Sequence, residues 1–163
     1  MLPAQSQDSS LRKTIRRAVG IYEMCCGIGG VAAMVSLAVA FAPGLAAPVA
    51  LFAALALAGF ALATGSRAGL HLSVVAQLLQ VVGWVLPASA WRFAGGPFLG
   101  AIPDARGATL YAGLEFTALT GLFRAGPATA AIYLNIVPLA VAILLLGVFR
   151  RRSSRPTASR VVA

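Results

Sequence analysis

The chain has 163 residues, of which 60% are apolar and only 10% are charged. Because a soluble domain carries roughly 25% charged residues, this composition argues against an ordinary soluble globular protein. The net charge is +9, but the basic residues flank apolar segments and no recognition motif accompanies them, so we expect no nucleic-acid partner. Apolar runs of about 18 residues or more are candidates for membrane spans, and we count four in a chain of about one domain's length.

The first predicted span occupies residues 18–42, after a polar and basic N-terminus at 1–17. Residues 40–42 (Ala-Phe-Ala) have the small-x-small pattern of a signal-peptide cleavage site. The apolar stretch before them is nevertheless longer than the roughly 7–15 residues of a signal-peptide core, and Pro43 directly follows. We therefore predict an uncleaved span that ends at the turn signal Pro43-Gly44.

One face of this span carries an acidic residue among glycines. At about 100° per residue, Gly20, Glu23, Gly27, Gly30 and Met34 fall within roughly a quarter of the helix circumference. A bare carboxylate in lipid costs at least about 2.5 kcal/mol, and glycines allow another helix to approach closely. The pattern predicts that the other spans dock on this face.

The second predicted span occupies residues 46–64 and is rich in alanine. Only a few residues separate it from the first span, so we expect an antiparallel helical hairpin. The hairpin is followed by a short polar loop that carries Arg67.

The third predicted span occupies residues 70–87 and ends at Pro87. Ser73, Gln77, Gln80 and Trp84 share one narrow face at the helical period. Glutamines inside a bilayer are expected to hydrogen-bond to neighbouring helices, so this face should point into the bundle. His71 lies on another face, near the start of the span, where an interfacial position is expected.

Residues 88–130 differ in character and are rich in turn signals, namely Gly95-Gly96-Pro97, residues 103–107 and Gly126-Pro127. Residues 109–116 alternate weakly in polarity, which is typical of a strand. We predict a small extracytoplasmic segment of short strands or irregular structure. The alternative is a fifth span over about 108–124.

The fourth predicted span occupies residues 131–149, and a basic tail follows at 150–163. With both termini in the cytoplasm, ten basic residues lie on that side and three lie outside, as the positive-inside rule requires. A fifth span would export the arginine tail, so the charge distribution opposes it. The basic termini are also expected to contact anionic lipid.

The chain offers few groups for catalysis or cofactor binding. Cys25 and Cys26 are adjacent inside the first span, which is neither a disulfide framework nor a metal-ligand spacing, and His71 is the only histidine. We expect no catalytic set, no metal site and no cofactor. The candidate functional or packing residues are instead polar or small residues of the spans and their loop: Glu23, Gly27, Gly30, Arg67, His71, Gln77 and Gln80.

Glu23 allows two interpretations. An ionisable residue inside a span is a candidate for proton or cation coupling in a transporter. The other interpretation is a structural carboxylate that pairs with Arg67, His71 or a tyrosine such as Tyr133. Small four-span drug transporters also carry a glutamate in their first helix, but this chain is longer and residues 88–130 have no place in that fold.

The order of three short motifs resembles small, uncharacterised bacterial membrane proteins with four spans and an outer segment between the last two. The motifs are Gly20-Ile-Tyr-Glu23 with Gly27 and Gly30, then Gln77-Leu-Leu-Gln80, then Asn135-Ile-Val-Pro138. The resemblance covers most of the chain and implies the same architecture, but it implies no activity.

Together these observations predict an all-α integral membrane protein, a four-helix transmembrane bundle with a small extracytoplasmic segment between spans 3 and 4. We expect a multi-pass protein of the bacterial inner membrane that acts as a non-enzymatic accessory, assembly or scaffold subunit. Its expected partners are the lipid bilayer and the helices of other membrane proteins or of a second copy. The alternative is a small dimeric transporter or channel with Glu23 as the coupling residue. A membrane enzyme has the least support.

Overall fold

The computed structural model describes residues 4–38, 46–86, 89–104, 107–122 and 131–150. Within them the chain forms four helices and a four-stranded antiparallel sheet. In chain order these elements are α1 (Ala4–Ala38), α2 (Ala46–Ala63), α3 (Arg67–Leu79), β1 (Val82–Leu86), β2 (Ser89–Asp104), β3 (Gly107–Leu122), β4 (Ala131–Asn135) and α4 (Ile136–Arg150).

The predicted four-span all-α bundle is therefore wrong. Two helices of the described chain, Ser10–Ser36 within α1 and Ala46–Ala63, are long and apolar enough to cross a membrane. At 1.5 Å per residue, the 13 residues of α3 and the 15 of α4 reach about 20 and 22 Å, short of a hydrocarbon core of about 30 Å. The alternative fifth span is wrong as well, because β3 occupies those residues.

The third apolar segment changes from helix to strand after Leu79. Gln80 ends α3, and its N–H donates to the carbonyl of Gln77. The following residues 81–85 are three valines, a glycine and a tryptophan, and valine and tryptophan favour strands. β1 then pairs with β4, with Trp84 opposite Ile132. An apolar run without clear periodicity fits helix and strand equally, which is why the prediction of a helix to residue 87 failed.

The fourth apolar segment divides in the same way. Ala131–Asn135 form β4, and the helix begins only at Ile136. Asn135 fixes this change of structure, because its Oδ1 accepts a hydrogen bond of 3.2 Å from the N–H of Val137, as helix-capping residues do. Pro138 then lies in the first turn of α4, where its missing N–H is tolerated.

The strands lie in the order β1-β4-β2-β3, and β1 also pairs with the start of β2. β2 and β3 form a long hairpin whose 16-residue strands pair from Ser89↔Leu122 to Asp104↔Gly107. The predicted strand at 109–116 is confirmed, and the predicted turn at 103–107 agrees with the pairing of Asp104 with Gly107, while residues 105 and 106 lie outside the described residues. The predicted break at Gly95-Gly96-Pro97 is wrong, because these residues lie inside β2.

The sheet packs directly on the first two helices. The rings of Phe52 in α2 and Phe93 in β2 are 5.2 Å apart, and both side chains are buried with Leu55, Cys26 and Met34. Gly96 has φ of +117°, and a Cβ placed there would lie 2.5 Å from the sulfur of Cys26. Only glycine permits both this backbone conformation and this approach. The described part of residues 88–130 therefore forms two long strands that pack along α1 and α2, and not the predicted cap of short strands.

Five features of the sequence lie outside the described residues. They are the cleavage-like pattern at 40–42, the turn signals Pro43-Gly44 and Gly126-Pro127, the predicted helix end at Pro87 and the basic tail after residue 150. Their predicted roles stay predictions.

Candidate functional site

The glycine face of α1 is the surface on which α2 packs. Gly20, Glu23, Gly27 and Gly30 are all buried. A Cβ added at Gly20 would lie 2.6 Å from the carbonyl oxygen of Gly59, and one added at Gly27 would lie 2.4 Å from the backbone nitrogen of Ala56. The two backbones are thus too close for any side chain between them. Of the predicted docking of the other spans on this face, the structure bears out the packing of helix α2.

Glu23 lies at the centre of this contact and is 0% exposed. Its two carboxylate oxygens accept hydrogen bonds from α3. The hydroxyl of Ser73 donates to Oε2 at 2.5 Å, and Nε2 of Gln77 donates to Oε1 at 2.8 Å. Ser73 and Gln77 are also buried, at 0% and 1% exposed. These three side chains form a closed polar cluster between α1 and α3, which we call the Glu23 cluster.

Helix periodicity explains why these donors meet the carboxylate. Ser73 and Gln77 are four residues apart and therefore project from the same face of α3, one turn after the other. Gly69, one turn earlier, allows α3 to approach α2, since a Cβ there would lie 2.4 Å from the backbone nitrogen of Leu62. The small residues on α1 and α3 therefore bring both donors within reach of Glu23.

The predicted charged partners of Glu23 are wrong. Arg67 and His71 are exposed, and in the described part of the chain neither forms a hydrogen bond to Glu23. Both project from faces of α3 other than the one that carries Ser73 and Gln77. Two neutral donors hold the carboxyl group, so its neutralisation requires a proton or a bound cation rather than a side-chain cation.

One polar atom of the Glu23 cluster has no partner. Oε1 of Gln77 is buried and accepts no hydrogen bond within the described residues. Its neighbour Nε2 is already bonded to Glu23. Because a buried unpaired acceptor costs about 1–3 kcal/mol, this oxygen could accept a hydrogen bond from a further donor or ligate a small cation at the cluster.

Gln80 lies apart from the Glu23 cluster and joins α3 to the sheet. Its Nε2 donates to the carbonyl of Ala76 at 3.1 Å, and its Oε1 accepts a hydrogen bond of 2.8 Å from the N–H of Gly95. It is 6% exposed, so both groups are paired away from water. The predicted inward face of span 3 is correct for Ser73, Gln77 and Gln80, whereas Trp84 lies on β1 and is 37% exposed.

Asn135 is a junction residue that the sequence analysis placed only near the start of a span. Besides capping α4, its Oδ1 accepts a hydrogen bond from the N–H of Leu99 at 3.2 Å. Its Nδ2 donates to the carbonyl of Pro97 at 3.4 Å. It is 3% exposed. Asparagine directly before a helical run is a recognised N-cap signal, so the start of α4 after Asn135 could have been predicted from the sequence.

Arg92 and Glu115 form an ion pair on the sheet that was not predicted from the sequence. The guanidinium nitrogen lies 2.6 Å from the carboxylate, with the side chains 17% and 14% exposed. The guanidinium group also lies 4.0 Å from the ring centre of Tyr133. The ion pair joins β2 to β3 and faces Tyr133 of β4. It could therefore be predicted only once the order of the strands was known.

The Glu23 cluster has a carboxyl group, a hydroxyl and an amide, but no second titratable side chain hydrogen-bonded to the carboxyl among the described residues. In the same part of the chain no three His, Cys, Asp or Glu residues are grouped as metal ligands. The arrangement can hold one proton or one small cation, and it can tie α1 to α3. No protein-family model, no curated protein and no solved structure matches this chain.

Proposed function

We propose that the protein is a membrane-embedded accessory, assembly or scaffold subunit that binds other membrane helices. The observation that carries this proposal is the closure of the Glu23 cluster. A transporter needs its coupling carboxylate open to an aqueous path, whereas Glu23 is 0% exposed and hydrogen-bonded on both oxygens. A scaffold requires only that the carboxylate be covered.

The outer surface of the helices supports a membrane environment. Only 39% and 33% of the residues in the two apolar windows are buried, whereas the core helix of a soluble protein is mostly buried. Large apolar side chains are exposed on all four helices, including Ile28, Leu57, Leu72 and Ile143 at 53% to 67%. Soluble monomers rarely expose large apolar patches, so exposed apolar side chains on every helix favour a membrane environment.

The charge distribution supports an orientation in an inner membrane. Arg12, Lys13 and Arg17 precede the apolar part of α1, and Arg67 follows α2. A Cβ on Gly65 would lie 2.8 Å from a guanidinium nitrogen of Arg16, so α1 brings its basic end to the α2–α3 turn. Positive residues at one end of a helical hairpin favour the cytoplasmic side and suit anionic lipid headgroups. The α1–α2 hairpin would then cross the membrane twice.

Native purification tests the proposal. The protein is tagged at its C-terminus, extracted from membranes with a mild detergent and examined for co-purifying membrane proteins. We expect retention in the membrane at alkaline pH and stoichiometric recovery of a helical membrane partner or of a second copy. Release at alkaline pH, or recovery of the monomer alone, would contradict the scaffold role. Reporter fusions after Pro43 and after Gly65 should report opposite sides of the membrane.

A proton- or cation-coupled transporter is the second candidate, and one observation favours it. The unpaired Oε1 of Gln77 lies in the Glu23 cluster, where a second acceptor beside a carboxylate suits a mobile proton or a small cation. This function predicts ion-driven flux that depends on the acidity of Glu23. Paired substitutions of Glu23 separate the two candidates, as set out in the Discussion.

A further inference from the structure

The carboxylate of the Glu23 cluster has no positively charged partner in the part of the chain that the structure describes. Ser73 and Gln77, which hydrogen-bond to it, are neutral side chains. The titratable neighbours on its own helix are Tyr22 and Cys26, and neither of them can carry a positive charge. Because buried charges in proteins are either paired or bound to metal ions, the cluster as it stands is incomplete.

The size of the charge limits which ion can balance it. A single carboxylate is neutralised by a monovalent cation, whereas a divalent ion would leave a net positive charge in a buried site. Zn²⁺ and Ca²⁺ sites usually contain several carboxylate, imidazole or thiolate ligands, and among the described residues no three such groups are clustered. The cluster is also tight, since the Ser73 and Gln77 atoms lie 2.5 and 2.8 Å from the carboxylate oxygens. It therefore suits a small monovalent cation.

The carboxylate and the Ser73 hydroxyl supply three oxygen ligands for such a cation. The hydroxyl oxygen lies 2.5 Å from Oε2 of Glu23 and 3.5 Å from the carbonyl oxygen of Ala58. A hydroxyl has one hydrogen and two lone pairs. When its hydrogen turns towards Ala58, a lone pair faces the carboxylate, and an ion there contacts both groups.

The unpaired Oε1 of Gln77 supplies a fourth oxygen. The side chain is 1% exposed, and Nε2 of the same amide lies 2.8 Å from Glu23. No described group donates to Oε1, so turning the amide over gives up no bond at that end and brings Oε1 to face the carboxylate. Two oxygens can face each other at that distance only across a hydrogen or a cation. A proton bridges two oxygens, whereas a cation takes the oxygens of all three side chains at once.

We propose that the Glu23 cluster binds one small monovalent cation of the size of Na⁺. The ion neutralises the carboxylate of α1 and is shared with two side chains of α3, so it fastens the two helices together. Such an ion goes beyond the proposed scaffold function. For the second candidate function it identifies the coupling ion, although binding itself requires no transport.

Ion-dependent stability tests the proposal, because an ion that binds only the folded protein stabilises it by mass action. The full chain, purified in detergent, is unfolded by heat in NaCl, LiCl, KCl or choline chloride at one ionic strength and one pH. We expect a higher Tm in Na⁺ or Li⁺ than in choline. Above the dissociation constant, each tenfold rise in free Na⁺ should raise the folding equilibrium constant about tenfold. Equal Tm values in the four salts, or no preference for Na⁺ and Li⁺ over K⁺, would overturn the proposal.

Two matched substitutions locate the ion. Glu23→Gln removes the negative charge at nearly constant size, so its Tm should be the same in NaCl as in choline chloride. Glu115→Gln makes the same chemical change at a carboxylate that is already paired with Arg92, and this variant should keep the full difference between the two salts. A Na⁺ effect that persists in Glu23→Gln would place the ion elsewhere and overturn the proposal.

Parallel flux measurements in vesicles separate the cation site from the transporter. Na⁺-dependent stability without ion-driven flux would support the cation site and contradict the transporter. Proton-driven flux in a protein whose stability does not respond to Na⁺ would leave the transporter standing and contradict the cation site. The carboxyl group would then hold a proton instead of a metal ion.

Discussion

The α1–α2 hairpin and the sheet with its two short helices are built by different means. In the hairpin, glycines bring two backbones into contact from Gly20 to Gly27, Gly30 makes room for the ring of Phe52, and neighbouring segments of the chain pair with each other. In the sheet, β1 pairs with β4 across a long intervening segment, and the side chains of Gln80 and Asn135 attach it to α3 and α4. The hairpin depends mainly on the absence of side chains, whereas the sheet, which has its own close approach at Gly96, is joined to its two short helices by particular polar side chains.

This difference predicts how each half responds to substitution. A contact between backbones cannot adjust to an added methyl group, because neither helix can move without losing its neighbours. In a contact made through side chains, a side chain can rotate, or a single hydrogen bond can be lost while the others remain. The following experiments compare the two halves, beginning with the largest expected effect.

Gly27 and Gly29 lie on the same helix and face the two different halves. A Cβ at Gly27 would lie 2.4 Å from the backbone of Ala56, whereas one at Gly29 would lie 3.1 Å from the end of the Phe116 ring on β3. We expect Gly27→Ala to lower the free energy of unfolding by about 3 kcal/mol, since helices α1 and α2 must separate. Gly29→Ala should change it by less than about 1 kcal/mol, because the ring can move and alanine favours the helix.

Unfolding of the two variants in mixed detergent micelles, followed by helical circular dichroism, measures both changes. Equal losses for Gly27→Ala and Gly29→Ala would show that the sheet contact is as rigid as the helix contact. The distinction between the halves would then be wrong.

Glu23 is the polar exception within the helical half. Glu23→Ala removes the acceptor of both hydrogen bonds and leaves Ser73 and Gln77 buried without it, so we expect a loss of about 2 kcal/mol in unfolding free energy. Glu23→Gln should stay close to the unmodified chain. Its amide oxygen can still accept from Gln77, and its amide nitrogen can donate to the hydroxyl of Ser73.

The same pair of variants separates scaffold from transporter. For a scaffold, partner recovery should follow stability, falling in Glu23→Ala and persisting in Glu23→Gln. Proton- or cation-driven flux in vesicles is measured in parallel. Flux that is present in the unmodified protein and lost in Glu23→Gln, with assembly unchanged, would establish the transporter instead.

The Arg92–Glu115 ion pair should have the smallest effect. It is partly exposed, and Tyr133 supports the guanidinium group independently. A double-mutant cycle with Arg92→Gln and Glu115→Gln should give a coupling energy of about 1 kcal/mol. The coupling should shrink as salt is added, because salt screens exposed charges. A coupling energy of zero at low salt would show that Arg92 is stabilised by the Tyr133 ring and not by Glu115.

The helical hairpin was predictable because the residues that define its contact lie close together in the sequence. The small face around Gly20, Gly27 and Gly30 identifies a packing surface by periodicity alone, and the second span was predicted within one residue of α2. The same periodicity placed Ser73 and Gln77 on one face of α3. Arg67 and His71 were nevertheless wrong as partners of Glu23, because opposite charge suggests a pairing whether or not the helix faces allow it.

The sheet was not predictable in the same way. Valine-rich and aromatic runs such as 81–85 and 131–134 fit a buried helix or a buried strand, and only their pairing decides between them. Pro97 and two glycines suggested a break in β2. In the structure, Pro97 and the two glycines lie in the middle of β2, between the segment that pairs with β1 and the segment that pairs with β4. There, among the described strands, β2 pairs with β3 alone.

The long separation in sequence between β1 and β4 also sets the order in which the parts of the fold can form during synthesis. Trp84 and Ile132 are 48 residues apart (132 minus 84) yet directly opposite in the sheet. The α1–α2 hairpin and the β2–β3 hairpin involve neighbouring segments and can form as soon as they emerge from the ribosome. β1 gains its second partner only when residues 131–135 arrive. A nascent chain therefore holds a folded helical hairpin beside an incomplete sheet until residues 131–135 have emerged, and in this interval the unpaired edge of β1 is exposed to pairing with another chain.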